Sequence, residues 1–169
     1  MGTIKKKEIT PIMAAFGLAV FEGQNFEHGL GHLLWIIDEE LKKEGRKPLN
    51  DDIDKIRITS GQLFRRVKKV EVLSDKEIEV IQRGIDDRNY LVHHYWKNEN
   101  MLATATPDGR KKILEDLDDR RENCRQARRL VGKLIDAYLV KYGTSISALS
   151  SPFVEQWIND EQTFNDKLH

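Results

Sequence analysis

Apolar residues recur at three- and four-residue steps from Phe16 through Val20, Gly23, Phe26, Leu30, Leu34 and Ile37 to Leu41. That period lays one apolar stripe along a long helix and leaves the other faces to solvent. The rhythm returns in Ile78, Ile81, Ile85, Val92 and Trp96, broadened by Leu91 and Tyr95. It returns again in Ile113, Leu117, Cys124, Ala127, Val131, Leu134, Tyr138 and Leu139. No stretch shows the two-residue alternation of a half-buried strand. Stripes of this kind are stable only when they face one another. The pattern predicts an all-α fold, an antiparallel up-and-down bundle of four main helices plus a short C-terminal helix.

Local signals place the boundaries. Thr10-Pro11 predicts the start of the first helix, a capping hydroxyl before a first-turn proline, and Gly45 its end. Gly17, Gly23, Gly29 and Gly31 weaken that helix, and close approach of a second helix explains their presence. A polar connector over 46–54 leads to a second helix with Ile53, Ile56, Leu63, Val67 and Val70 inward, broken or restarted at Ser60-Gly61. Ser74 and Glu77 form a capping box for the third helix. That helix is expected to end at 98–100, followed by a linker over 101–105. Thr106-Pro107 repeats the start signal, and Gly143 is a credible C′ residue for the fourth helix. Beyond a small-residue linker, Ser151-Pro152 opens a last helix whose Phe153, Val154, Trp157 and Ile158 must be covered by the bundle or by another chain. The whole of 1–169 forms one domain, with its core at about 10–143 and the linker and last helix over 144–169.

Bulk charge narrows the function. Lys and Arg total 28 and so do Asp and Glu, giving zero formal net charge. Such a chain cannot capture a polyanion by its overall field, so any anion site is a local patch. The single Cys124 excludes an intrachain disulfide and a cysteine metal cluster. It is expected to pack between helices in a reduced, cytoplasmic setting. Lys5-Lys6-Lys7 before the apolar run 12–21 imitates a secretion signal. The helical pattern continues through Gln24 and Leu30 with no small-residue cleavage site, and the run is too short to span a bilayer. No membrane association is expected.

The chemistry concentrates in 86–96, Asp-Asp-Arg-Asn-Tyr-Leu-Val-His-His-Tyr-Trp. Asn89 and His93 are four apart and share a helix face. Arg88 and His93 are five apart, about 140° around the helix, a gap that a long guanidinium side chain can narrow. A permanent cation, an amide and an imidazole thus gather on a turn and a half of helix. The stretch resembles the R-x4-H signature of the HEPN superfamily, with Asn89 as the polar residue after the arginine. His93-His94-Tyr95 further resembles the H-x-Y extension of HEPN toxins that pair with nucleotidyltransferase antitoxins. A HEPN domain is a helical bundle, so the resemblance covers about 10–143 by architecture and 88–95 by motif.

The resemblance implies a metal-independent endoribonuclease acting on RNA, tRNA or mRNA, in a toxin or host-defence role. Cleavage through the 2′-OH needs a base, an acid and a cation on the phosphorane. His93 fits base or acid, Arg88 fits the cation, and Asn89 fits an orienting role. One histidine does not easily serve as both acid and base in one event. The homodimer implied by the resemblance supplies a second set. His94, about 100° from His93, fits packing or support. Tyr95 stands where antitoxins modify related toxins; alternatively it packs beside Trp96. His93 and His94 are adjacent rather than four apart, with no carboxylate-rich pattern beside them, so neither metal nor cofactor is expected.

Two readings compete elsewhere. Gln24, Glu27, His28 and His32 interrupt the first apolar stripe. Either they form a solvated face, or Gln24 or Glu27 points at Arg88 as a buried carboxylate requires. Arg65, Arg66, Lys68 and Lys69 form a basic strip, either simply solvated or contacting an RNA backbone. The charges over 116–129 form a solvated face of ion pairs or, through Arg120, Arg121, Arg125, Arg128 and Arg129, a positive ridge. A non-catalytic reading also holds: Arg88 and His93 clamp the bundle against Glu27, and the module binds nucleotide, RNA or a protein partner.

Overall fold

The computed structural model describes residues 6–47, 59–69, 73–97 and 99–141. They form five helices, α1 Lys6–Lys43, α2 Ser60–Val67, α3 Asp75–His93, α4 Glu99–Ala103 and α5 Pro107–Lys141. Among the described residues there is no strand, so the fold is all-α.

Residue pairing sets the helix directions. Glu8 meets Arg110 at 3.2 Å, and Glu22 meets Arg125 and Arg128 further along both helices. α1 and α5 therefore run the same way. α3 runs against both: Arg88 lies on Gly23, whereas the later Tyr95 reaches back to Phe16 and Ile113. A strict up-and-down four-helix bundle would make the first and last helices antiparallel. Three long helices carry the packing here, and α2 is an eight-residue helix against α1 and α3. Ile53, Ile56, Val70, Gly143 and the expected C-terminal helix lie outside the described residues.

Three of the expected boundaries hold, one of them Thr106-Pro107, where α5 begins and the Thr106 hydroxyl accepts from the Gly109 N–H at 3.0 Å. Gly45, at φ +69°, closes α1 with its N–H on the Lys42 carbonyl at 3.0 Å, while Arg46 N–H reaches Leu41 at 2.8 Å. This pair of hydrogen bonds satisfies two of the orphan carbonyls of the last turn. Ser74 and Glu77 cap α3 reciprocally, as their spacing requires. Thr59 and Gln62 cap α2 in the same way, so a helix begins at Ser60; what precedes Thr59 in this connection lies outside the described residues.

Others shift. α1 is helical from Lys6, and Pro11 lies inside it rather than at its start. Proline removes one bond to the preceding turn, and the Thr10 hydroxyl donates to the Lys6 carbonyl at 3.0 Å. Burial of Ile12 and the Glu8–Arg110 pair hold this turn against α5. α3 ends at His93, earlier than expected, because the chain must reverse into α5. Lys97 N–H closes a turn on the His94 carbonyl, and the Asn100 amide donates to the Tyr95 carbonyl at 2.8 Å. The expected linker over 101–105 contains most of α4. Val92, expected inward, is exposed, and Leu91 carries that turn of the core instead.

The core has two parts. Phe26, Leu30, Leu34, Phe64, Ile81, Ile85 and Val131 belong to one. Ile12, Ala19, Leu91, Tyr95, Ile113 and Leu117 belong to the other. Between them lies a charged belt drawn from the middle of α1, α3 and α5. Close helix contact occurs at Gly84, where an added Cβ would lie 2.5 Å from the Ala127 Cβ, and at Gly29 against Val131. Gly17 and Gly31 have nothing within 4 Å and are not contact glycines.

Candidate functional site

Arg88 sits on the inward face of the second half of α3, within the belt. Its Cγ and Cβ lie 3.1 and 3.3 Å from where a Cβ on Gly23 would stand. The missing side chain on α1 is what lets this arginine cross the seam. Its Nη2 pairs with Glu27 Oε2, and its Nη1 donates to Asn89 Oδ1 at 3.1 Å. The other Glu27 oxygen accepts from Ser60 Oγ at 2.6 Å, at the first residue of α2. Ser60 is buried, and Arg88 and Glu27 side chains are only 18% and 21% exposed. One carboxylate thus ties α1, α2 and α3 together. Glu27 occupies the place expected of a carboxylate facing Arg88, whereas Gln24 is exposed. Arg88 Nε is buried with no hydrogen-bond partner.

The rest of the belt neutralises itself. Asp87 accepts from Arg120 at 2.5 Å and from Asn123 at 2.8 Å. Glu22 stands between Arg125 and Arg128 at 3.5 and 3.4 Å. Arg120, Arg125 and Arg128 therefore turn at least partly inward rather than projecting a positive ridge. The roles of Ser60 and Glu22, and the Arg120 and Asn123 partners of Asp87, were not legible in the sequence. Glu22 and Asp87 each neighbour a residue already singled out, but adjacency on a helix rotates a side chain by about 100° and hides the partnership.

His93 belongs to the last turn of α3 and is exposed. Its ring lies 6.3 Å from that of His94, and no hydrogen bond joins it to Arg88 or Asn89 among the described residues. The 140° offset is kept: Arg88 faces the seam and His93 faces solvent. Within one chain the two groups do not form a closed catalytic pair. His94 caps α3 and is exposed, with Lys97 Nζ 3.2 Å from its Nδ1.

Tyr95 goes into the core. It is 1% exposed, its hydroxyl donates to the Ile113 carbonyl at 3.3 Å, and its ring meets Trp96 edge-on at 5.2 Å. Burial first, and the Asp116 carboxylate second, hold the phenol far above its usual pKa. The packing alternative is the one observed, and an enzyme seeking this hydroxyl would find it covered.

The basic strip starts at the Glu27 anchor. Arg65, Lys68 and Lys69 are exposed and Arg66 partly so. They follow Ser60 along α2 by about 7–14 Å at helical rise. Lys68 Nζ stands 4.7 Å over the Phe64 ring, and cations at this helix end also suit its dipole. Among the described residues no group of three His, Cys, Asp or Glu is placed to hold a metal. No described helix is long and apolar enough to cross a membrane. No protein-family model, curated protein or solved structure matches the chain.

Proposed function

We propose that the protein is a metal-independent endoribonuclease of HEPN type, cleaving RNA through its own 2′-OH at a site completed by a second copy of the chain. The observation that carries this reading is the placement of the Arg88-Asn89-His93 set: the imidazole lies open at the end of α3, and the guanidinium, about a turn and a half earlier, is oriented by Glu27 on α1. His93 is the base or acid, and Arg88, with Asn89, stabilises the phosphorane charge. The offset between Arg88 and His93 favours a composite site, since a two-fold neighbour can present its own histidine to the seam. Arg65 and Arg66 on the helix anchored to the same seam, with Lys68 and Lys69 just past its end, suit the RNA backbone. A toxin or defence role, with a nucleotidyltransferase-type antitoxin, belongs to this reading by resemblance.

One observation favours a second reading. Arg88 is neutralised by Glu27 and packed on Gly23, which is how a purely structural clamp is built. The domain is then a binding module without catalysis. Variants separate the two. Substituting the exposed His93 by Ala leaves stability within about 0.5 kcal/mol of the parent. On the nuclease reading it abolishes RNA cleavage, whereas His94→Ala reduces it less. A His93→Ala protein that cleaves like the parent overturns the proposal.

A further inference from the structure

A groove of about 310 Å³ lies between the start of α3 and the middle of α5, apart from the Arg88 seam. Val80 and Leu130 form its apolar floor. Lys76, Arg129 and Lys133 stand on its rim, all exposed. Among the described residues none of these three makes an ion pair. The acid beside them, Glu77, is committed to the Ser74 backbone and hydroxyl at 2.8 and 2.7 Å. The groove thus offers an apolar slot edged by three cations, which make no ion pair among the described residues, and by the single carboxylate of Glu77.

The chain beyond Lys141 has the complementary chemistry. Residues 142–166 contain four acids, Glu155, Asp160, Glu161 and Asp166, and no Lys or Arg. Phe153, Val154, Trp157 and Ile158 fall at helical spacing within that acidic stretch. A cavity of this size matches one large aromatic with a flanking aliphatic side chain, and a tryptophan is the most effective single anchor for such a slot. The reach is sufficient. The groove residues on α5 lie about 12–18 Å before its end at helical rise. Residues 142–152 can span up to about 36 Å. Tethering at this distance gives an effective concentration on the order of millimolar, so modest affinity fills the groove.

We propose that residues 153–161 of the chain dock in this groove, with Trp157 on Val80 and Leu130 and the acids against Lys76, Arg129 and Lys133. The segment then straps the start of α3 to α5, away from the Arg88 seam. The proposal does not depend on the nuclease reading.

Hydrogen–deuterium exchange on the full chain tests it. Amides of 153–158 should exchange about tenfold or more slowly than in Trp157→Ala. The double variant Arg129→Glu, Lys133→Glu should lose the same protection, with helical circular dichroism unchanged because both side chains are exposed. Added salt should speed exchange in the parent protein, since the attraction is screened. Unprotected amides over 153–158 overturn the proposal, and so does protection that survives the charge reversal. Protection that fades on dilution assigns the segment to a second copy and equally overturns it.

Discussion

Replacing Glu27 by Ala removes the one carboxylate shared by α1, α2 and α3. The Arg88 guanidinium then keeps its place on Gly23 without a counter-charge, and its Nε is already without a partner. The buried Ser60 hydroxyl loses its acceptor. Removing one member of a fully buried ion pair costs about 3–5 kcal/mol. Here the side chains keep roughly a fifth of their exposure, so water screens part of the loss. About 2–3 kcal/mol is expected for Glu27→Ala. Glu27→Gln retains an acceptor for Ser60 and should cost less, about 1–2 kcal/mol. Urea unfolding followed by helical circular dichroism at pH 7 measures both. A double-mutant cycle with Ser60→Ala should return a coupling of about 1 kcal/mol. Glu27→Ala within about 0.5 kcal/mol of the parent would refute the anchoring role.

Three further outcomes follow from the packing. Gly84→Val should destabilise by about 1–3 kcal/mol in thermal unfolding, because its Cβ would overlap Ala127, and Ala127→Gly should recover part of that loss. Burial, then the charge of His28, lowers the His32 pKa below its ordinary value. The unfolded chain therefore binds more protons than the folded one as pH falls through about 6.5, and stability should decline across that window. Urea midpoints between pH 7.5 and 5 should show a shallower decline in His32→Gln. Burial first, then Asp87 and Glu22, pushes the Cys124 thiol up to about 12. Iodoacetamide should leave it unlabelled in the native protein and label it fully in denaturant.

Much of the scaffold is legible in the chain because strong local rules agree with the packing. Ser74 and Glu77 announce α3, and Ile113, Leu117, Cys124, Ala127 and Val131 are all buried as their spacing requires. Glu27 stands against Arg88, the second of the two readings that the gap in the first apolar stripe leaves open. What periodicity cannot carry is direction and depth. The parallel course of α1 and α5 depends on connections through α2 and α4, which are too short to show a clear stripe. Arg120, Arg125 and Arg128 resemble a solvated ridge until Asp87 and Glu22 are known to face them from other helices. Val92 and Leu91 are neighbours in sequence, and a small rotation of α3 decides which is covered. The His93-x-Tyr95 spacing likewise hides that α3 stops at His93 and Tyr95 turns into the core.

The most direct measurement is incubation of the purified protein with tRNA and total RNA in EDTA, with the product ends mapped. The expected result is cleavage that survives chelation, leaves 2′,3′-cyclic phosphate and 5′-hydroxyl ends, and disappears in His93→Ala. Cleavage that is lost in EDTA and restored by a divalent ion, or no cleavage at any protein concentration, would contradict the proposed chemistry.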